Sequence, residues 1–133
     1  LSQYATYVNR DTKLSSDKQM NTLQTFEVEC KSLFKDVLRS GISFVKIDAE
    51  GAEIDILISE EASYAKNWID TTHLVFEWSF TKERRVDVFH KAVNNLLKAG
   101  FSVHYEGMGS WWDNEGILWP YPNDMVVFAV REV

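Results

Sequence analysis

Phe44-Val45-Lys46-Ile47-Asp48-Ala49-Glu50-Gly51-Ala52-Glu53-Ile54-Asp55-Ile56-Leu57 changes periodicity part-way along. Residues 42–48 are mostly β-branched or aromatic and predict a strand, whereas Ile54, Leu57 and Ile58 fall at helical spacing and predict a helix from about Ala52 to Glu60. A strand that runs through a glycine-bearing turn into a helix is the first half of a parallel β-α-β unit.

The pattern repeats downstream. His73-Leu74-Val75-Phe76-Glu77-Trp78 is a mostly apolar run, which predicts a strand covered on both faces. Val86, Phe89, Val93, Leu96 and Leu97 predict a helix that Gly100 ends, Phe101, Val103 and Tyr105 alternate as a strand, and 125–130 reads as a final, fully apolar strand. Upstream, residues 3–9 predict a short strand and 10–22 a polar connection. Phe26, Val28 and Cys30 alternate with Glu27 and Glu29 as a half-buried strand, which makes Cys30 a buried apolar residue rather than a nucleophile. Ser32 is placed to cap a helix carrying Leu33, Phe34, Val37 and Leu38, with Gly41 as its stop.

The order β, β-α, β-α, β-α, β-β predicts an α/β fold: a mostly parallel sheet with helices on both faces and a C-terminal antiparallel hairpin. Strand 101–105 is expected to run parallel to its neighbours, and the last strand to return antiparallel. Loops that follow the strands of such a sheet share one edge, where ligands bind. That edge collects 48–53, 77–81 and the aromatic loop after Tyr105.

Composition narrows the function. A chain of 133 residues is one domain at most. Its 14 Lys and Arg against 20 Asp and Glu, a net charge of -6, argue against a nucleic-acid or anionic-membrane partner. The longest apolar run, 125–130, is too short to cross a bilayer. The single cysteine excludes an internal disulfide and fits a reducing compartment, so the expected location is cytoplasmic. Leu1 in place of an initiator Met, no signal-peptide pattern, and only 6 glycines and 2 prolines predict a piece of a longer fold.

The carboxylates Asp48, Glu50 and Glu53 crowd the strand exit and first helical turn. Free N–H groups and the helix dipole favour negative charge there. Two readings fit: Asp48 and Glu50 cap the helix while Glu53 completes the cap, or the cluster faces a ligand that Gly51 lets approach closely.

The stretch 44–57 resembles the K-I-D-x-E-G-x-E signature of the FkbM-type S-adenosylmethionine-dependent methyltransferases. Flanking segments agree in order. Leu14-Ser15-Ser16 is similar to the family's Ser-Ser-Leu stretch, and Val28 to Leu38 to its valine strand and leucine-aspartate helix. Leu74-Val75-Phe76-Glu77 is similar to its next strand, and Leu96 to Val103 to its step into the sixth. The likeness covers nearly the whole chain but only the second half of the family's domain. It implies a Rossmann-like class I methyltransferase sheet, with residues 1–133 a single partial domain whose N-terminal, cofactor-binding half is missing.

The implied activity is S-adenosylmethionine-dependent O-methylation of a hydroxyl on a sugar, glycan or other small molecule. Most of the cofactor site would lie outside this chain, which alone would be inactive. Asp48 and Glu50 lead as catalytic candidates, with Glu77 next, because a positioned carboxylate can take the hydroxyl proton. Gly51, Glu53, Trp78, His104, Trp111 and Trp112 are the substrate-side candidates. The chain departs from the family twice. It holds no strand-glycine-helix turn, since Gly107-Met108-Gly109 lies between two strands, and Glu77-Trp78-Ser79 lacks the histidine often found two residues after that glutamate.

Alternatives stand beside this reading. Asp48, Glu50 and Glu77 also suit a divalent cation, a hard ion that prefers oxygen, although no metal site is expected and the histidines lack zinc spacing. Trp111, Trp112, Trp119 and Tyr121 either stack on a sugar ring or cover the cofactor pocket, or else form the loop's own small core. His73 reads as a polar strand end, and His90 and Arg84-Arg85 as solvated. The other functional class is a non-catalytic methyltransferase-like module for binding or assembly, and a glycine-rich turn upstream of Leu1 in the parent polypeptide would separate the two. The truncation leaves the edge of strand 42–48 unpaired, so the chain is expected to be poorly soluble, to self-associate through that edge, or to cover it with residues 1–22.

Overall fold

The computed structural model describes residues 4–9, 24–80, 86–108 and 124–133. The chain divides into two compact units, Leu1–Val37 and Leu38–Val133.

In the first unit, β1 (Tyr4–Asn9) and β2 (Gln24–Glu29) pair antiparallel, from Tyr4 opposite Glu29 to Asn9 opposite Gln24. Both expected strands exist, but they form a two-stranded sheet of their own. The second was expected to open a β-α-β unit of the main sheet. Phe26, Val28 and Cys30, expected to be buried, are exposed, since a two-stranded ribbon buries little of either face. The helix expected after Ser32 is a single π-helical turn, Leu33–Val37. Ser32 Oγ accepts the Lys35 N–H at 3.3 Å while the Asp36 carboxylate accepts the Ser32 N–H at 2.8 Å. These reciprocal bonds close one turn on itself.

The second unit is built on a four-stranded sheet in the order β3 (Phe44–Ile47), β4 (His73–Ser79), β6 (Asp124–Val130), β5 (Ser102–Met108). Only β3 and β4 form a parallel pair, and β6 pairs antiparallel with both β4 and β5. The antiparallel closing hairpin is as expected. The parallel neighbours of strand 101–105 are not: β5 points the same way as β3 and β4, but β6 is inserted between β4 and β5.

Between β3 and β4 lie helix α1 (Glu53–Leu57) and two 3₁₀ turns, Glu60–Ser63 and Ala65–Trp68. Helix α2 (Val86–Lys98) precedes β5. It closes as the glycine predicts: Gly100, at φ +95°, donates to Leu97 O and Phe101 to Leu96 O, both at 3.0 Å. Its buried stripe is Phe89, Ala92, Asn95 and Leu96, whereas Leu97, expected in the stripe, is half exposed.

Register defines the two faces of the sheet. Val45, Ile47, Leu74, Phe76, Trp78, Met125, Val127 and Ala129 share one face and are buried. Trp78 stacks on Phe89 of α2 with ring centroids 5.3 Å apart, so α2 covers that face. Burying a side chain of this size contributes about 1.5–3 kcal/mol. The alternate residues of β4 and β6 are exposed or half-buried. β4 is thus not covered on both faces as its apolar run suggested, and among the described residues of this unit no helix covers the second face. Phe44 and Phe128 lie on that open face.

Arg131, just past β6, ties the far end of the sheet together. Its guanidinium donates to the carbonyls of Thr71 (2.7 Å), Ala65 (2.9 Å), Ile69 (2.9 Å) and Ala99 (3.5 Å), and lies 5.2 Å from the centre of the Phe101 ring. Phe101 meets Trp68 edge to face at 5.2 Å. Burial pushes the Arg131 pKa down, and the charge of Asp70 partly offsets this. Among the described residues no helix is long and apolar enough to cross a membrane.

Candidate functional site

The turn that joins β3 to α1 is shaped by two consecutive residues with left-handed φ, Glu50 at +48° and Gly51 at +116°. Glycine adopts this conformation freely and glutamate does not. Glu53, the first residue of α1, is buried and turns back onto the turn. Its Oε1 accepts the Ala49 N–H at 3.0 Å and its Oε2 the Gly51 N–H at 2.8 Å. Of the two readings of the acidic cluster, the cap therefore describes Glu53, which spends both oxygens on the backbone. It does not describe Asp48 and Glu50, which are exposed.

Asp48 follows Ile47, which is level with Phe76, and so stands level with Glu77 on the neighbouring strand. Its Oδ2 lies 3.8 Å from Lys46 Nζ, and Lys46 sits beside Val75 on the open face. A pair this exposed adds little stability, but it shows that Asp48 leans to the open face. Glu77 is opposite Val126, and Val126 is opposite Glu106. Asp48, Glu77 and Glu106 thus mark one row across the open face, toward the carboxyl ends of β3, β4 and β5. Glu106 was missed in the sequence. Its signal was present: His104 and Glu106 alternate with Val103 and Tyr105.

Other candidates fall elsewhere. His104 is exposed and opposite Phe128, one row back from Glu106. It lines an open groove with Gly100, Ser102, Val130, Arg131 and Glu132, where β5 begins and β6 ends, the end of the sheet away from the turn. Trp78 is on the covered face, fully buried, and its indole N–H has no hydrogen-bond partner among the described residues. Trp111 and Trp112, with Trp119, Tyr121 and Arg84-Arg85, lie outside the described residues. His73 is exposed, with Nδ1 2.8 Å from Thr72 Oγ1. His90 is exposed as expected, with its ring beside Phe89. Among the described residues no three or more His, Cys, Asp or Glu side chains come together in a way that could hold a metal ion, so the three carboxylates considered for a divalent cation do not form such a group.

The turn thus bears two exposed carboxylates at the carboxyl end of β3, with Glu77 on the parallel neighbour β4. The family model for the methyltransferase FkbM domain matches residues 2–103. The chain belongs to the FkbM methyltransferase family. The mixed sheet, with its parallel β3–β4 pair and antiparallel β5–β6 hairpin, fits a methyltransferase-like α/β fold. No curated protein and no solved structure gives a significant match. Methyltransferases of this kind generally use S-adenosylmethionine.

Proposed function

We propose that this chain forms the acceptor-side wall of an S-adenosylmethionine-dependent O-methyltransferase site that acts on a hydroxyl of a sugar, glycan or other small molecule. The observation that carries the reading is the position of the FkbM signature: its turn stands at the carboxyl end of β3, level with Glu77 of β4. S-adenosylmethionine supplies an electrophilic methyl group on a sulfonium.

This chain's residues do the rest. The acceptor hydroxyl is a weak nucleophile and must lose its proton as it attacks. Asp48, exposed at the strand end, takes that proton. Glu77 beside it accepts a hydrogen bond from the acceptor or a second hydroxyl and fixes its orientation. Glu50, on the turn itself, offsets the sulfonium charge, and Gly51 leaves room for the close approach. Trp78, a substrate-side candidate from the sequence, is fully buried under α2 and takes no part in the proposed site. The cofactor's adenosine and carboxylate would be held by residues other than these.

The test is calorimetry and methyl transfer with S-adenosylmethionine on the complete polypeptide, repeated with Asp48→Asn and Glu50→Gln. Loss of a proton acceptor lowers turnover by about 10²–10⁴-fold, with binding by Asp48→Asn little changed. Full turnover by both variants removes these carboxylates from the mechanism.

A further inference from the structure

We infer that Glu53 is a positioning residue: its buried carboxylate clamps the turn on both sides of Glu50 and so fixes where the turn's exposed carboxylates stand. The inference rests on the methyl-transfer reading above for its functional consequence, and on geometry for the clamp itself.

One carboxylate oxygen takes the N–H of the residue before Glu50, at 3.0 Å, and the other the N–H of the residue after it, at 2.8 Å. Between them Glu50 is held at φ +48°, a conformation it would not choose. Such a conformation persists only where the surroundings over-determine it. The remaining bonds of the turn, Ala52 N–H to Ala49 O at 3.2 Å and Ile56 N–H to Ala52 O at 3.3 Å, are longer and hold only its exit. Glu53 is 4% exposed, so water does not replace it easily.

The geometry also uses both carboxylate oxygens as acceptors. Two N–H groups need two acceptor atoms, whereas a carboxamide offers one acceptor and one donor. In Glu53→Gln one amide N–H would face another N–H. The substitution keeps the shape of the side chain and removes one leg of the clamp.

Two measurements test the inference. The first is amide hydrogen exchange by NMR. In Glu53→Gln, exchange at Ala49 or Gly51 speeds up about tenfold, the loss expected for one hydrogen bond of ordinary net strength, while Val45, Leu74 and Val127 exchange at wild-type rates. Unchanged rates at both turn amides overturn the clamp. General acceleration across β3, β4 and β6 overturns it too, because Glu53 would then support the fold as a whole.

The second measurement compares binding of S-adenosylmethionine, whose sulfonium is positive, with that of the neutral thioether S-adenosylhomocysteine by the complete polypeptide. A released turn lowers the preference for the cation in Glu53→Gln and in Glu50→Gln alike, and leaves thioether binding within about twofold, since that ligand carries no charge for the turn to meet. A merely structural role would weaken both ligands equally, and that result refutes positioning. A wild-type protein that binds neither ligand defeats the methyl-transfer reading, while the exchange rates at Ala49 and Gly51 still decide the clamp.

Discussion

Arg131 offers the sharpest test of what holds the second unit together. Replacing it with Met keeps an apolar stem of similar length and removes every donor. The carbonyls of Thr71, Ala65 and Ile69 then lose partners at 2.7, 2.9 and 2.9 Å, and Ala99 a weak one at 3.5 Å. A hydrogen bond to a charged group contributes about 1.5–3 kcal/mol net, and these four act as one unit, so their sum overstates the loss. A buried acceptor left without a donor costs about 1–3 kcal/mol, so three such carbonyls losing close partners together cost about 3–5 kcal/mol. The segment it grips includes Ile69 at φ +53°, a β-branched residue in a conformation that costs about 1–3 kcal/mol to hold. Against a total stability of about 5–15 kcal/mol the change is large. With a urea slope of about 2 kcal/mol per molar, the midpoint falls by about 2 M. Urea titration followed by tryptophan fluorescence reads this directly, because Trp68 and Trp78 are buried in the same unit. Arg131→Lys keeps the charge but not the planar fork that reaches several carbonyls at once, so its midpoint lies between the two. A shift below about 0.5 M for Arg131→Met, or a lysine variant equal to wild type, refutes the carbonyl clamp.

Two further outcomes follow from local geometry. Glu50→Gly keeps the stability of the wild type to within about 0.5 kcal/mol, since release of left-handed strain offsets the entropy glycine loses on folding, whereas Glu50→Val is destabilised by about 1–2 kcal/mol; urea midpoints check both. The hydrogen bond from the Tyr64 hydroxyl to the Glu60 carboxylate, with the charge of Glu61 adding to it, raises the Tyr64 pKa above the ordinary tyrosine value. A raised tyrosine pKa favours the folded state at pH values below the unfolded pKa, and that contribution is lost as pH climbs through the folded value. The difference in ultraviolet titration between wild type and Tyr64→Phe shows late ionisation, which Glu60→Gln moves back toward ordinary.

Local periodicity carried much of the fold, and long-range pairing carried the rest. The strand-turn-helix step at 44–57, the α2 stop at Gly100 and the closing hairpin were legible because each depends on residues close in sequence. The insertion of β6 between β4 and β5 was not, because an apolar run such as 125–130 is silent about which edges it pairs with. The same silence hid the hairpin of β1 and β2. Val28 and Phe26 carry the alternation of a half-buried strand, yet nothing local specifies a second sheet. At the candidate site, the strand-to-helix turn carrying Asp48, Glu50 and Gly51 was legible from the signature. The division of labour within it was not, since only the fold shows that Glu53 is buried and bonded twice to the backbone. Arg131 left no trace, because its partners are carbonyls contributed by segments far away in the chain.

The parity of β4 adds a constraint that no motif contains. Glu77 and Trp78 are neighbours in sequence and point to opposite faces, Glu77 to the open side with Val126 and Glu106, Trp78 into the packing against Phe89. An acceptor lying on the open face can meet Asp48 and Glu77 together but cannot also meet the Trp78 indole. Trp78, with no exposed surface under α2, is therefore part of the core and not of the candidate site. Under the proposed methyl-transfer reading the candidates separate by position: Asp48 and Glu77 together on the open face, Glu50 and Gly51 on the turn at its edge, and Glu53 buried beneath them. His104, on the open face but one row further back and in a groove at the other end of the sheet, belongs to none of these groups. Under the proposed reading, an acceptor of sugar size that met Asp48 and Glu77 would extend along the open face toward Glu106, the next carboxylate in that row.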